Sequence, residues 1–167
     1  MSAPNIVNIE DLDYHEWEHA GRFAGRMGEI ALKIGASKLG YNLTVIPPGK
    51  KAFPYHSHHV NEEMFFVLEG QGEFRSPAGR RAIGKGDFIA CPAGGPETAH
   101  QIINTSEQDE LKFLAVSTAI YPEICEFPDS AKYSVRHWFP SAETGEESTL
   151  RFVVKNQASD TEYWEGE

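Results

Sequence analysis

Downstream of residue 28 the chain alternates short apolar runs with Gly/Pro turns and never sustains a helical period. The runs are Glu29–Ile34, Leu39–Ile46, Met64–Glu69, Gly72–Arg75, Phe88–Cys91, His100–Asn104 and Leu111–Ser117. Turn-forming segments separate them: PPGKK, EGQGE, SPAGR, GKGD, PAGGPE and NTSEQDE. Strands this short and closely spaced predict an antiparallel sandwich or barrel. A count of 15 Gly and 10 Pro in 167 residues favours many turns over long helices. The length suits one domain with a sizeable core, and no repeat, low-complexity tract or linker divides it.

The two ends are less regular. Residues 1–28 carry aromatics without a clean period, and their glycines oppose a long helix. They predict an extended arm with one turn of helix, packed through Trp17 and Phe23. Near the other end YPEICEFPDSAKYS reads as a loop. TLRFVVKNQ reads as one more strand, with Phe152 and Val154 on one face. TEYWEGE reads as a loose acidic end unless Tyr163 and Trp164 anchor it. The resulting divisions are 1–34 (arm and first strand), 35–120 (barrel core) and 121–167 (C-terminal loop, strand and acidic end).

Charge and cysteine content exclude several classes of function. The formal charge is −10, and Lys50-Lys51 and Arg80-Arg81 are isolated doublets, so no nucleic-acid or anionic-membrane partner is expected. Two cysteines do not make a disulfide framework. Cys91 and Cys125 read as free thiols of a reducing cytoplasm. The N-terminus has no basic region followed by an apolar run, and no stretch approaches the ~18 apolar residues of a membrane span. A cytoplasmic protein is expected.

Chemistry concentrates in YHSHHVNEEMFFVLEGQG, residues 55–72. Side chains at i and i+2 of a strand share a face, about 7 Å apart along the backbone. His56 and His58 therefore project together, while His59 faces away or sits in the turn. Two imidazoles so placed can bind Zn, Fe, Ni or Cu. Glu63 shares parity with Phe65 and Val67, so if that face is interior, Glu63 points inward. An unpaired inward carboxylate is costly, and a metal cation or a histidinium removes the cost. His100 opens a strand after a Gly/Pro turn able to return the chain over the first histidines. Three His and one Glu form a mixed N/O donor set that leaves positions open on an octahedral ion.

These residues resemble the cupin family. Gly49, six residues, His56-Ser57-His58, four residues, Glu63, six residues, Gly70 is similar to the first cupin motif, with one extra residue after the leading glycine. Gly86, five residues, Pro92-Ala93-Gly94, five residues, His100, three residues, Asn104 is similar to the second, with GPETA as a lengthened turn. The intervening 15 residues, Gln71–Lys85, match a small microbial cupin, and the resemblance covers about residues 35–120. It implies an all-β double-stranded β-helix, a jelly-roll barrel with one divalent metal ion per subunit (Fe, Mn, Ni or Zn), held by His56, His58, Glu63 and His100. Spacing to Gly70 favours Glu63 over Glu62. Gly70, Gly86 and Gly94 are then expected to supply positive φ at turns, and Asn104 to be a turn residue.

Small single-domain cupins of this layout are often given the provisional name sugar phosphate isomerase. The resemblance thus implies a metal-dependent enzyme such as a sugar or sugar phosphate isomerase. The alternatives are a non-catalytic binding or sensing module and an Fe(II)-dependent dioxygenase. Any phosphate site has Lys51, Arg75, Arg80 and Arg81 as candidates by charge alone. Phe65, Val67, Ile89 and Ile102 predict a largely apolar cavity. Met64, Phe66 and Leu68 form an outward apolar stripe that needs a cover, either the N-terminal arm or a second subunit, and a homodimer is expected.

Overall fold

In the computed structural model, residues 5–140, 147–155 and 164–166 are described. Their strands are β1 (Tyr14–His19), β2 (Phe23–Glu29), β3 (Leu39–Ile46), β4 (Ser57–His58), β5 (Glu63–Glu69), β6 (Gln71–Ser76) and β7 (Gly79–Gly84), then β8 (Phe88–Cys91), β9 (Gln101–Ile103), β10 (Leu111–Thr118), β11 (Glu123–Phe127), β12 (Lys132–Pro140) and β13 (Glu147–Lys155). Three single-turn 3-10 helices, at Ile9–Asp11, Pro96–Thr98 and Pro128–Ser130, are the only helical pieces among the described residues. No described helix is long and apolar enough to cross a membrane.

The strands form sheets ordered β1-β2-β3-β10-β5-β8, β7-β6-β9 and β13-β12-β11-β4. This is the mostly β, double-stranded β-helix architecture. Period-two alternation builds it. On β5, Phe65 and Val67 are buried in the barrel, where the Phe65 ring meets Phe113 edge-on at 5.6 Å. Phe113 stands opposite both Thr44 of β3 and Val67 of β5. Ile46, Ile83, Ile102 and Leu111 complete this inner core. The outer faces of the same strands form a second cluster, in which Leu43 and Val45 meet Leu12 and Ile30, with Leu68 and Leu114 packed against it. Gly70 closes the β5–β6 turn at φ 83, and a Cβ there would lie 2.2 Å from the Glu110 carbonyl oxygen. Gly94 differs from the expectation: it has no positive φ, and its role is space, because a Cβ would meet the Thr98 side chain at 2.6 Å.

Three segments depart from the sequence reading. The first concerns the N-terminal arm, which is a β1–β2 hairpin stacked on β3. Trp17 donates Nε1–H to the Ala52 carbonyl and stacks on Phe53 at 4.9 Å. The expected strand at Glu29–Ile34 ends at Glu29, because Ile30 and Ala31 both donate their N–H to the Tyr41 carbonyl and Ile30 turns into the outer core. Second, residues 79–84, where no strand was expected and whose ends fall in the SPAGR and GKGD turn segments, form β7 against β6. Third, the expected loop YPEICEFPDSAKYS contains β11 and leads into β12. TLRFVVKNQ lies largely within β13. Of the acidic end, only Trp164–Gly166 is described, and Tyr163 lies outside the described residues.

Candidate metal centre

Short β4 belongs to the C-terminal sheet through β11, and the residue before it, His56, bridges to His100. His56 and His100 exchange backbone hydrogen bonds, His56 N–H to His100 O at 3.1 Å and His100 N–H to His56 O at 2.8 Å. The lengthened GPETA turn coils as the 3-10 helix Pro96–Thr98 and returns the chain to that bridge. His58 and His100 thereby face Glu63, the first residue of β5. Glu63 Oε2 lies 3.4 Å from His58 Nε2 and 3.1 Å from His100 Nε2. One potential ligand atom each of His56, His58 and Glu63 fall within 4.8 Å of one another.

Each imidazole has an outer partner at Nδ1. His56 Nδ1 donates to the Pro54 carbonyl at 2.7 Å, and His100 Nδ1 lies 3.4 Å from the Thr98 carbonyl. His58 Nδ1 lies 3.4 Å from Cys125 Sγ and 3.7 Å from Glu123 Oε2. Outer contacts of this kind fix ring orientation and leave Nε2 as the donor for a metal. The donor set fits a divalent ion: three Nε2 atoms and one carboxylate that, among the described residues, pairs with histidines and with no Lys or Arg.

The electrostatics are those of a mutually dependent cluster. Burial, then neighbouring His100 and His58, push His56 down to about 4. Burial alone would push His58 down, but contacts to Cys125, Glu123 and Glu63 raise it to about 12. Burial alone would raise Glu63, but hydrogen bonds from His100 and His58 hold it well below the ordinary carboxylate range. Glu62 is exposed and turned away, with its backbone N–H on Thr118. His59 pairs with Glu126 at 3.0 Å, outside the cluster. Cys91 is a core thiol pushed up to about 12 by burial. Asn104 is fully buried and ties the β9–β10 turn, donating to the Ile46 and Asp109 carbonyls.

Sequence reasoning missed the layer behind the histidines. Glu123, Cys125 and Phe127 alternate along β11; the first two reach His58, and Phe127 stacks on His56 at 6.0 Å. Glu123 is 5% exposed, and its carboxylate accepts from Val60 N–H, Asn61 N–H and the Asn61 amide. Its alternation with Cys125 and Phe127 was the available signal, masked by prolines at 122 and 128.

A cavity of about 340 Å³ opens over the four donors. Phe65 and Ile102 line it as expected, while Val67 and Ile89 do not. Asn42, Thr44, Gln101 and Arg136 also line it, so the wall is more polar than the sequence suggested. None of the four cations singled out by charge contributes. Arg75 pairs with Asp129, Arg80 pairs with Glu73, Lys51 lies over the Phe23 ring, and Arg81 lines a separate groove beside β7.

Comparison with known proteins agrees with this fold. Residues 42–117 match the family described as Cupin domain. An uncharacterized protein of Methanocaldococcus jannaschii is 34% identical over 77 residues, 46% of this chain. The match spans 58% of that relative's length. A solved sugar phosphate isomerase of the cupin superfamily from Silicibacter pomeroyi superposes with TM-score 0.71 at 22% identity, over 87% of this chain and 92% of its own. A protein of Acidithiobacillus ferrooxidans provisionally named sugar phosphate isomerase gives 0.69 at 23%, over 85% and 86%. A polyketide cyclase from Streptomyces resistomycificus gives 0.56 at 22%, over 71% and 82%. Likeness at these identities concerns the fold.

Proposed function

Residues 42–117 match the Cupin domain family, and from that premise we propose that the chain is a metal-dependent enzyme acting on a small hydroxy-carbonyl compound, with sugar or sugar phosphate isomerisation as the specific reaction. One observation carries the reading: His56, His58, Glu63 and His100 converge at the base of a small cavity, each imidazole oriented from behind. These four residues would hold one divalent ion. When bound there, such an ion supplies Lewis acidity to a chelated carbonyl and acidifies the neighbouring C–H. Phe65, Phe113 and Ile102 keep water from the base of the cavity, and Gln101 is fixed by donating its amide to the Phe53 carbonyl at 2.7 Å. Names borne by two structural neighbours support the isomerase reading.

A second reading, small-molecule binding without turnover, is favoured by one feature. Outside the donor cluster, no described cavity-lining residue can take up a proton at neutral pH, so an isomerisation would have to move its proton through one of the four donors themselves. Metal analysis of untagged protein, followed by exchange of substrate C–H with D₂O in the absence of oxygen, separates the readings. Metal uptake with exchange supports isomerisation, and uptake with ligand binding but no exchange supports the second reading. Fe(II)-dependent oxygen consumption would instead identify a dioxygenase. Absence of any uptake of Fe, Mn, Ni or Zn at micromolar levels would remove the metal-dependent reading.

We also infer a cytoplasmic homodimer. The N-terminal segment covers Leu68 and Leu114, but Met64 stays 50% and Phe88 73% exposed, with the Phe66 ring packed tilted against Phe88 at 4.4 Å. A second copy of the same sheet is the cover that fits this apolar face.

A further inference from the structure

Arg136 of β12 stands directly opposite Glu123 of β11 and, across its other edge, directly opposite Arg151 of β13. Directly opposed residues of antiparallel strands share one face of the sheet, where unlike charges pair and like charges repel. Here the unlike pair does not form. Glu123 is already engaged by Val60, Asn61 and His58. The like pair is left standing. Among the described residues, neither Arg136 nor Arg151 has an ion pair or hydrogen bond to a carboxylate, in a chain with 25 acidic and 15 basic residues. Arg26, Arg75 and Arg80 all find an acid.

This uncompensated pair adjoins the candidate metal centre, because Arg136 lines the same cavity as His56, His58, Glu63 and His100. Asn42 lies on that wall too, its Oδ1 occupied by the Thr44 hydroxyl at 2.8 Å, which leaves the amide nitrogen as a donor. Two arginines at opposed positions on one sheet face, Arg136 on the cavity wall and Arg151 beside it, offer planar forks of donors that match phosphate oxygens, and together they suit a doubly charged group better than a single carboxylate.

We propose that Arg136 and Arg151 form the phosphate-binding end of the cavity, and that the substrate is a small phosphate monoester whose other end, on the reading given above, meets the His/Glu cluster. A cavity of about 340 Å³ is at the small end of ligand sites, roughly 300–1,000 Å³, and suits a sugar phosphate more than a nucleotide.

The test is isothermal titration of the purified protein with ribose 5-phosphate, ribose, ribonate and inorganic phosphate, each with added zinc and with EDTA. Ribose 5-phosphate or inorganic phosphate should bind at least about tenfold more tightly than ribose, and added salt should weaken that binding. Arg136→Met and Arg151→Met should each remove at least about tenfold of the phosphate affinity, Arg136→Lys should restore part of it, and zinc uptake should be unchanged in all three. Equal binding of ribose and ribose 5-phosphate, preference for ribonate, no binding of either phosphate probe, or unaltered phosphate affinity in both methionine variants overturns the assignment. Failure of zinc uptake by the unaltered protein would instead count against the metal-dependent reading. The EDTA titrations test the arginine pair in either case.

Discussion

Glu123 places a carboxylate oxygen 3.7 Å from His58 Nδ1, at the far side of a ring whose Nε2 faces Glu63 at 3.4 Å. One histidine thus lies between two carboxylates, one on each ring nitrogen, with the Cys125 sulfur beside the outer one. Such outer contacts are worth about tenfold to a hundredfold in metal affinity. Cys125→Ala should weaken zinc binding by about tenfold, measured by competition with a chelating dye, with little change in the melting temperature of the metal-free protein. Glu123→Gln should weaken it further and also lower stability by about 1–3 kcal/mol, since Val60 and Asn61 lose a charged acceptor. Unchanged zinc affinity in both variants would show that β11 does not orient His58.

Stability of the metal-free protein should pass through a maximum in pH. His56, ordinarily near 6.5, is depressed to about 4, so the unfolded chain takes up a proton that the folded one refuses, and stability falls as pH drops from 6.5 to 4. Glu63 is also depressed; its contribution is full above its ordinary 4.5 and is lost on further acidification. His58 is raised to about 12, so its contribution is full below 6.5 and declines as pH climbs towards 12. Thermal melts in EDTA should therefore be highest near pH 6.5, with loss on both sides. Zinc should flatten the alkaline side, because the ring nitrogen then needs no proton. A melting temperature flat from pH 4 to 9 in EDTA would contradict this.

Arg75 separates a structural cation from a ligand-binding one. Its guanidinium grips Asp129 through both nitrogens, at 2.6 and 2.7 Å, and lies 3.9 Å from the centre of the Tyr55 ring. Both partners are partly exposed, so Arg75→Ala should cost only about 0.5–1 kcal/mol. Chemical denaturation should detect that loss, while phosphate titrations of the variant should match those of the unaltered protein.

Gly70→Ala should destabilise by about 3 kcal/mol or prevent folding. The substitution forces a side chain into the left-handed region and against the Glu110 carbonyl oxygen. Recovery of soluble protein with an unchanged urea midpoint would be the contrary result.

The dimer is open to a direct measurement. Light scattering at tens of micromolar should give twice the 18.6 kDa chain mass. Met64→Asp or Phe88→Asp should return it to the single-chain value without loss of secondary structure. A single-chain mass for the unaltered protein would remove the dimer.

Legibility of the sequence followed the strength of local patterning. Along β5, which is apolar on both faces, strand parity tied Glu63 to Phe65 and Val67, and the structure buries those two and has Glu63 beside His58 and His100. Leu39–Ile46 and Phe88–Cys91 were legible to the residue, the first ending at PPGKK and the second lying between GKGD and PAGGPE. At β11 the same alternation was hidden, since Glu123 and Glu126 are both acids and only tertiary packing decides which is buried. Arg136 was hidden for a related reason. Its role depends on Glu123 being engaged elsewhere, a fact of three-dimensional pairing that no spacing records. Ile30 and Ala31 looked like strand because apolar residues at a fold-back leave the same trace as those in a ladder.

The pairing of β4 with β11 also bears on the timing of assembly. Cys125 stands 67 positions after the His58 ring it contacts. During synthesis the three histidines and Glu63 emerge well before the strand that holds His58 from behind. A nascent chain halted after β10 would carry all four candidate donors and yet lack the strand that contacts the His58 ring from behind. The outer support of the His58 ring thus comes only once β11 has been made.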